Sequence, residues 1–271
     1  MSLVDSATAA PAAQEATPAA AADTADVSTA PPAAAPAEAQ AASSDLLVVH
    51  HLNDSRSQRI LWLLEELQIP YTIKKYQRTP LGLAPKELFA VHPLGKSPAI
   101  TDNGKIVAES GVIIEYLIKK YGKGKFVPTL EDSKMQDTFW LHWAEGSAMN
   151  WLLMKLIFTI VPQKAPFIAR PIVSGIFSSV CTKLVDPEVQ KIGNFVSNEL
   201  TKTNGGWLAG GDGDGNPTAA DFQMMFVAEA MASGRLPNVP DSIKTYVQKI
   251  HERTAYKRAL EKGGTYAYGK L

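Results

Sequence analysis

The sequence predicts a mixed α/β unit followed by an all-helical region. Three observations carry that expectation. The stretch from Leu46 to Tyr121 alternates short β-branched runs with two amphipathic helical patterns. From Thr129 onward the apolar residues recur at helical spacing only. Between those patterns, proline, glycine and Asn-Gly signals fall where turns are required.

Leu46–Val49 is a short apolar run that predicts a buried strand. The polar loop Asn53-Asp54-Ser55-Arg56-Ser57 follows. Ile60, Leu61, Leu63, Leu64 and Leu67 then form the apolar face of a helix that stops before Pro70. Tyr71 and Ile73 alternate with polar neighbours, which predicts a second strand. Two parallel strands need such a helical crossover. The segment from Thr79 to Val91, with Pro80, Gly82 and Pro85, is expected to be irregular. After Pro98 a third strand is expected, with Asp102-Asn103-Gly104 as a hairpin turn and Lys105–Ala108 as the return strand. Glu109-Ser110 opens a helix carrying Ile113, Ile114, Leu117 and Ile118. In the helical part, Trp140 to Phe158 predicts one or two long apolar-faced helices. A glycine-rich loop, 205–216, precedes Thr218-Ala219-Ala220-Asp221, which has the form of a capping box. A last helix pair is expected over Asp241–His251 and Thr254–Lys262.

Composition narrows the function. The 271 residues carry 27 basic and 27 acidic side chains, which excludes a generalised attraction to nucleic acid. The balance is uneven along the chain. Residues 1–45 contain 19 Ala, five Pro and six acidic residues but no Lys or Arg. The other 226 residues carry 27 basic against 21 acidic side chains, a formal charge of +6. The leading stretch holds too little apolar surface to offset its ordering entropy and is expected to be a disordered tail. It lacks the basic and apolar blocks of a secretory signal and the arginines of a transit peptide.

Several rival chemistries fail on spacing. The one cysteine, Cys181, rules out a disulfide within the chain and reads as a core residue. The five histidines are scattered, and His50 and His51 point to opposite strand faces, so no metal is expected. Asp212, Asp214 and Asn216 have calcium-loop spacing, but Pro217 and Gln223 stand where that loop needs Gly and Glu. Gly211, Gly213 and Gly215 do not form a G-x-G-x-x-G fingerprint. Between Trp151 and Val185 the longest charge-free runs are eight and twelve residues, short of the roughly 20 that span a bilayer.

Three segments share one chemistry. Ser55 sits where a helix N-terminus favours an anion. Lys96-Ser97-Pro98 presents a backbone edge to an extended peptide if the Ser97–Pro98 bond is cis. Glu109-Ser110 offers helix-start amides and a hydroxyl to a carboxylate, and an acid to an ammonium group. Together they suit a small zwitterionic peptide bearing a sulfur.

The ordered segments Ser55–Leu67, His92–Pro98 and Ala108–Leu117 resemble the glutathione S-transferases, most closely the fungal and bacterial serine-type members. The resemblance runs over 46–271 and includes the Thr218–Asp221 tetrapeptide. It implies a thioredoxin-like glutathione-binding domain over 46–122 and a helical domain over 129–271. It implies that Ser55 is the catalytic hydroxyl, flanked by Arg56 and Ser57. Lys96, Ser97, Glu109 and Ser110 match glutathione-binding positions, and Pro98 matches the cis-proline. Glutathione is then a co-substrate, with no cofactor. A free thiol with a pKa near 8.5 is only about 3% ionised at pH 7. A hydroxyl donor beside the sulfur would raise that fraction, and the thiolate would attack an apolar electrophile or a peroxide. The implied setting is a cytoplasmic homodimer. Trp143 or Asn150 is expected to line the electrophile pocket. Two alternatives stand beside it: a non-catalytic scaffold or partner-binding module of the same fold, and peripheral contact with an endomembrane through Phe167–Val185.

Overall fold

The computed structural model describes residues 47–270. The Ala-rich stretch expected to be a disordered tail lies outside them. Four strands form a sheet in the order β2-β1-β3-β4: β1 Val48–Leu52, β2 Thr72–Tyr76, β3 Ala99–Asp102 and β4 Lys105–Ala108. β1 runs parallel to β2, with Val48 opposite Thr72, and antiparallel to β3, with Val49 opposite Ile100. β3 and β4 form the expected hairpin, and Asn103 and Gly104 adopt φ of 49° and 77°, as a two-residue type I′ turn demands.

β1 continues three residues past the Val49 limit expected from its apolar run. Its two histidines are buried because residues of the neighbouring strands satisfy His50 and the loop residue Ser57 satisfies His51. The His50 ring nitrogens lie 3.0 Å from the hydroxyls of Tyr76 and Thr101. His51 Nδ1 lies 2.8 Å from Ser57 Oγ. The irregular segment before β3 contains a short 3₁₀ turn, Lys86–Ala90, whose Leu88 packs against Leu52 and Tyr76.

The crossover helix α1, Gln58–Leu67, is buried along its length from Gln58 to Glu65. One side faces the sheet, and the other is covered by two helices of the C-terminal half, α7 (Ala219–Ala230) and α9 (Thr254–Gly263). Trp62 stacks at this seam, 4.5 Å from the Phe222 ring and 6.3 Å from Tyr256. Glu65, at the C-terminal end of α1, accepts from Tyr71 at 2.6 Å, from Arg258 Nε at 2.8 Å and from Lys262. The left-handed residue Gln68 (φ 54°) then ends the helix before Pro70.

α2, Ser110–Tyr121, completes the thioredoxin-like part. The helical part adds α3 Glu131–Trp143, α4 Met149–Gln163, α5 Arg170–Val180, α6 Asp186–Lys202 and α8 Asp241–Glu252 to α7 and α9. Three π-helical turns interrupt it: Ala144–Ala148, Cys181–Val185 and Met231–Arg235. Such turns shift the helical register and often re-aim side chains at functional sites. Cys181 is buried in one of them, and burial raises its thiol pKa, which keeps it in the unreactive form. The glycine-rich loop closes on Asp212, which accepts the amides of Phe126, Asp214 and Asn216 at 3.0–3.1 Å. Its carboxylate thus serves as a loop staple. α5 has no buried residue; its Ile172 is 70% exposed, and Phe167 and Ile168 just before it are 85% and 89% exposed. Among the described residues no helix is long and apolar enough to cross a membrane.

α7 is buried on all sides, so its first turn cannot be satisfied by water. Thr218 and Asp221 form the capping box there. Asp221 accepts the Thr218 amide at 2.9 Å, the Leu208 amide at 3.0 Å and the Tyr246 hydroxyl at 2.7 Å. Asp221→Ala removes the acceptor of all three hydrogen bonds at once. It should lower unfolding free energy by about 3 kcal/mol or more in urea titrations, with Asp221→Asn milder. His51 supplies a pH signature. Burial, reinforced by Lys75 and partly opposed by Asp54, lowers its pKa from 6.5 to about 4. The unfolded chain therefore binds the proton first as pH falls. This contribution is complete above pH 6.5 and is lost on acidification toward pH 4, at up to about 1.4 kcal/mol per pH unit. Urea unfolding between pH 6.5 and 5 should show that slope, and His51→Asn should flatten it.

Candidate functional site

The loop between β1 and α1 is clamped from outside. Arg78 donates from its amide to Asn53 Oδ1 at 2.8 Å and from its guanidinium to the carbonyls of Asn53, Asp54 and Gly82 at 2.9–3.2 Å. The Ala267 amide donates to Asp54 Oδ1 at 2.7 Å, so the C-terminal segment holds the same loop. Within it Ser55 and Ser57 turn inward. Ser55 is 5% exposed. Its hydroxyl lies 2.8 Å from the Leu52 carbonyl, to which it donates, and 2.7 Å from Ser57 Oγ. The Ser57 amide donates back to Ser55 Oγ at 3.2 Å. Arg56, between the two serines, turns outward.

Arg56 lines a cleft of about 290 Å³ together with Lys96, Ser97, Pro98, Glu109 and Ser110. Five of the six site residues singled out from the sequence therefore meet on one surface. Ser55 does not line that surface and lies behind Arg56. The Ser97–Pro98 bond is cis. The Ser97 hydroxyl donates to the His50 carbonyl at 2.8 Å and accepts the Leu52 amide at 3.2 Å, tying this corner to β1. Gly95 has φ 57°, and a Cβ there would stand 2.8 Å from the Phe89 ring, so a side chain before Lys96 would be strained and would have to displace that exposed ring. Lys96 and Glu109 line the cleft as exposed residues, and Ser110 is buried at the start of α2. Glu109 adopts φ 68° and ψ 120°, an unfavourable conformation for a residue with a side chain. Strain of this kind costs about 1–3 kcal/mol and clusters at ligand sites.

The floor of the cleft is ionic. Arg59 is fully buried and donates through Nη1 to Ser110 Oγ at 3.1 Å and to Glu145 Oε1 at 2.9 Å. Arg56 Nε donates to both Glu145 oxygens at 2.9 and 2.8 Å. The two guanidinium carbons stand 5.6 and 5.5 Å from the centre of the Phe226 ring. Burial opposes ionisation of Glu145, but Arg59 and Arg56 outweigh it and hold the carboxyl below the usual range. Glu145 comes from the π-turn joining α3 and α4 and had no signature in the sequence. Arg59 had one, since an arginine within the buried face of α1 calls for a carboxylate.

A second cavity of about 900 Å³ adjoins the first and shares Arg56 and Leu153 with it. Its apolar wall is Met149, Leu153, Leu156, Ile157 and Ile160 of α4, with Phe226 of α7. Trp143 and Asn150, expected there, lie elsewhere. Trp143 packs on Trp140 and Phe195, and Asn150 donates to the Gly146 carbonyl. The shift arises because the Ala144–Ala148 turn breaks the helical register assumed across this region. Among the described residues no group of three or more His, Cys, Asp and Glu side chains is placed to hold a metal ion.

Residues 55–120 match the family model for the glutathione S-transferase N-terminal domain. The chain is 34% identical to glutathione S-transferase 3 of Schizosaccharomyces pombe over 80% of its own length and 88% of that protein's. It is 31% identical to glutathione S-transferase 1 of Saccharomyces cerevisiae over 81% and 96% of the two lengths. Among solved structures, a glutathione S-transferase of Actinobacillus pleuropneumoniae superposes with a TM-score of 0.62 at 25% identity, covering 83% of this chain and 97% of that one. The transferase URE2P8 of Phanerochaete chrysosporium shares the fold, with a TM-score of 0.61 at 18% identity over 82% and 97%. With its sheet, its helical half and its strained, charged cleft in the same chain, the protein belongs to the glutathione S-transferase family.

Proposed function

We propose that the protein conjugates glutathione to apolar electrophiles, with hydroperoxides as a second class of acceptor. One observation carries the reading. A cleft edged by Lys96, Ser97, Glu109 and Ser110 opens, across Arg56 and Leu153, into a larger apolar cavity. Glutathione is a zwitterion with two carboxylates, one ammonium group and a thiol. Glu109 and the Ser110 amide suit its amino-acid end, the Ser97 backbone its middle, and Lys96 its far carboxylate. That orientation sends the thiol toward Arg56 and the mouth of α1.

Activation is electrostatic. Lowering the thiol pKa by two units requires about 2.7 kcal/mol of differential stabilisation. Ser55 would supply part of it by rotating its hydroxyl from the Leu52 carbonyl toward the sulfur. The N-terminus of α1 and the adjacent Arg56 guanidinium would supply the rest. The thiolate then attacks the acceptor held against α4. The inward Ser55 hydroxyl favours one rival, a glutathione-binding module that performs no chemistry. We further propose a cytoplasmic homodimer in which residues 46–122 form the glutathione domain and 129–271 the helical domain. Contact of the Phe167–Val185 segment, which exposes Phe167, Ile168, Ile172 and Ile176, with an endomembrane would be peripheral.

The activity test uses glutathione with a chlorinated nitrobenzene and, separately, a hydroperoxide. Turnover of either supports the enzyme. Retention on immobilised glutathione without turnover of either would establish the binding module instead. Lys96→Ala and Glu109→Ala should each weaken glutathione binding by about ten-fold or more, the loss of one charged hydrogen bond. Ser55→Ala should raise the pKa of the bound thiol by one unit or more, read by thiolate absorbance, and lower kcat near neutral pH by about ten-fold. Glu145→Gln leaves Arg59, the donor that anchors Ser110, buried without a counter-charge. It should cost about 3 kcal/mol in urea unfolding and raise KM for glutathione.

A further inference from the structure

The larger cavity contains a positive charge that the conjugation chemistry leaves unused. Arg235 ends the π-turn after α7, where Gly234 (φ 97°) swings the chain out of the helix. Its half-buried side chain lines the cavity together with the aliphatic side chains of α4. The guanidinium donates to the Tyr268 hydroxyl and stands 5.6 Å from the centre of that ring. A phenol is a neutral acceptor, so the charge is not cancelled. Among the described residues no carboxylate lies within ion-pair distance of Arg235, in contrast to Arg56, which is matched by Glu145, and Lys155, which is matched by Asp186.

The remaining charges of the cavity do not provide a partner. Asp54 is the only carboxylate among the described lining residues, and both its oxygens are engaged, one by the Ala267 amide and one by the Asn53 side chain. Arg78 uses its fork on three backbone carbonyls, which adds a second positive charge to the same wall. Burial is the main influence on Arg235 and depresses its pKa, but a guanidinium stays protonated at neutral pH. A half-desolvated cation facing an aliphatic wall suits an anion attached to an apolar body, since pairing strengthens as water is excluded.

We propose that the second substrate of this protein is an apolar acceptor bearing a carboxylate, with the carboxylate held by Arg235 and the chain laid along Leu153, Leu156, Ile157 and Ile160. This rests on the reading of the larger cavity as the acceptor site. The reacting carbon would then sit toward Arg56, where the two cavities join.

The test measures equilibrium binding of decanoate and decanol to the full-length protein saturated with glutathione, by calorimetry at neutral pH. Decanoate should bind about ten-fold or more tightly than decanol. Arg235→Gln should bring the two affinities together, while Arg235→Lys should keep part of the difference. Equal affinities in the wild-type protein would overturn the proposal, as would an unchanged preference in Arg235→Gln shown by thermal melting to be folded. Should Arg235→Gln fail to fold, the wild-type preference and its reduction in Arg235→Lys decide the matter. A parallel assay compares a long-chain enal ending in a carboxylate with one ending in a methyl group. Conjugation of neither, with the decanoate preference intact, would support the anion site and remove the transferase reading. Conjugation of both without any decanoate preference would support the transferase reading and remove the anion site.

Discussion

A fully buried arginine cannot be left without a counter-charge, and the site is arranged around meeting that requirement for Arg59. Its partner, Glu145, comes from the other half of the molecule, on the turn where α3 passes into α4. The bond ties the crossover helix of the sheet to the helical half at the base of the cleft. Through Ser110 it also fixes the first residue of α2. The same carboxylate holds Arg56, the side chain that divides the small cleft from the larger cavity. One ion cluster thus sets the distance between the two binding surfaces.

Around that cluster the two surfaces differ in kind. The cleft presents Lys96 and Glu109 at its edges and the Arg56–Glu145 pair on its floor, suited to a ligand with several fixed charges. The cavity presents a wall of aliphatic side chains with its cations at the margin. In the proposed reaction, a nucleophile bound by polar contacts would meet an acceptor bound by burial at one seam. Hydrophobic attraction there is non-directional, whereas the charged contacts define orientation. Fixing the thiol firmly while leaving the acceptor looser would, in that proposed reaction, admit more than one acceptor.

Much of the fold was legible because its elements are locally encoded. The turn at Asn103-Gly104, the end of α1 before Pro70 and the box at Thr218–Asp221 depend on residues close in the chain, and each lies where the pattern places it. The extension of β1 through His50 and His51 was not legible, because the acceptability of a buried imidazole depends on Tyr76, Thr101 and Ser57. The three π-turns were illegible for a related reason. A register shift within a helix leaves the apolar periodicity nearly intact while rotating every later side chain. Glu145 and Arg235, both on such turns, consequently carry no local signature.

By itself the sequence determined the order of strands and helices, the family, and the segments that form the cleft, since short-range sterics and apolar periodicity operate within a few residues. Tertiary structure alone decided that the Ser55 and Ser57 hydroxyls both face inward, which carboxylate neutralises Arg59, and that Arg235 meets a phenol rather than a carboxylate among the described residues. Those outcomes depend on desolvation and charge balance among groups up to 89 positions apart. Such balance exists only once the chain has closed on itself.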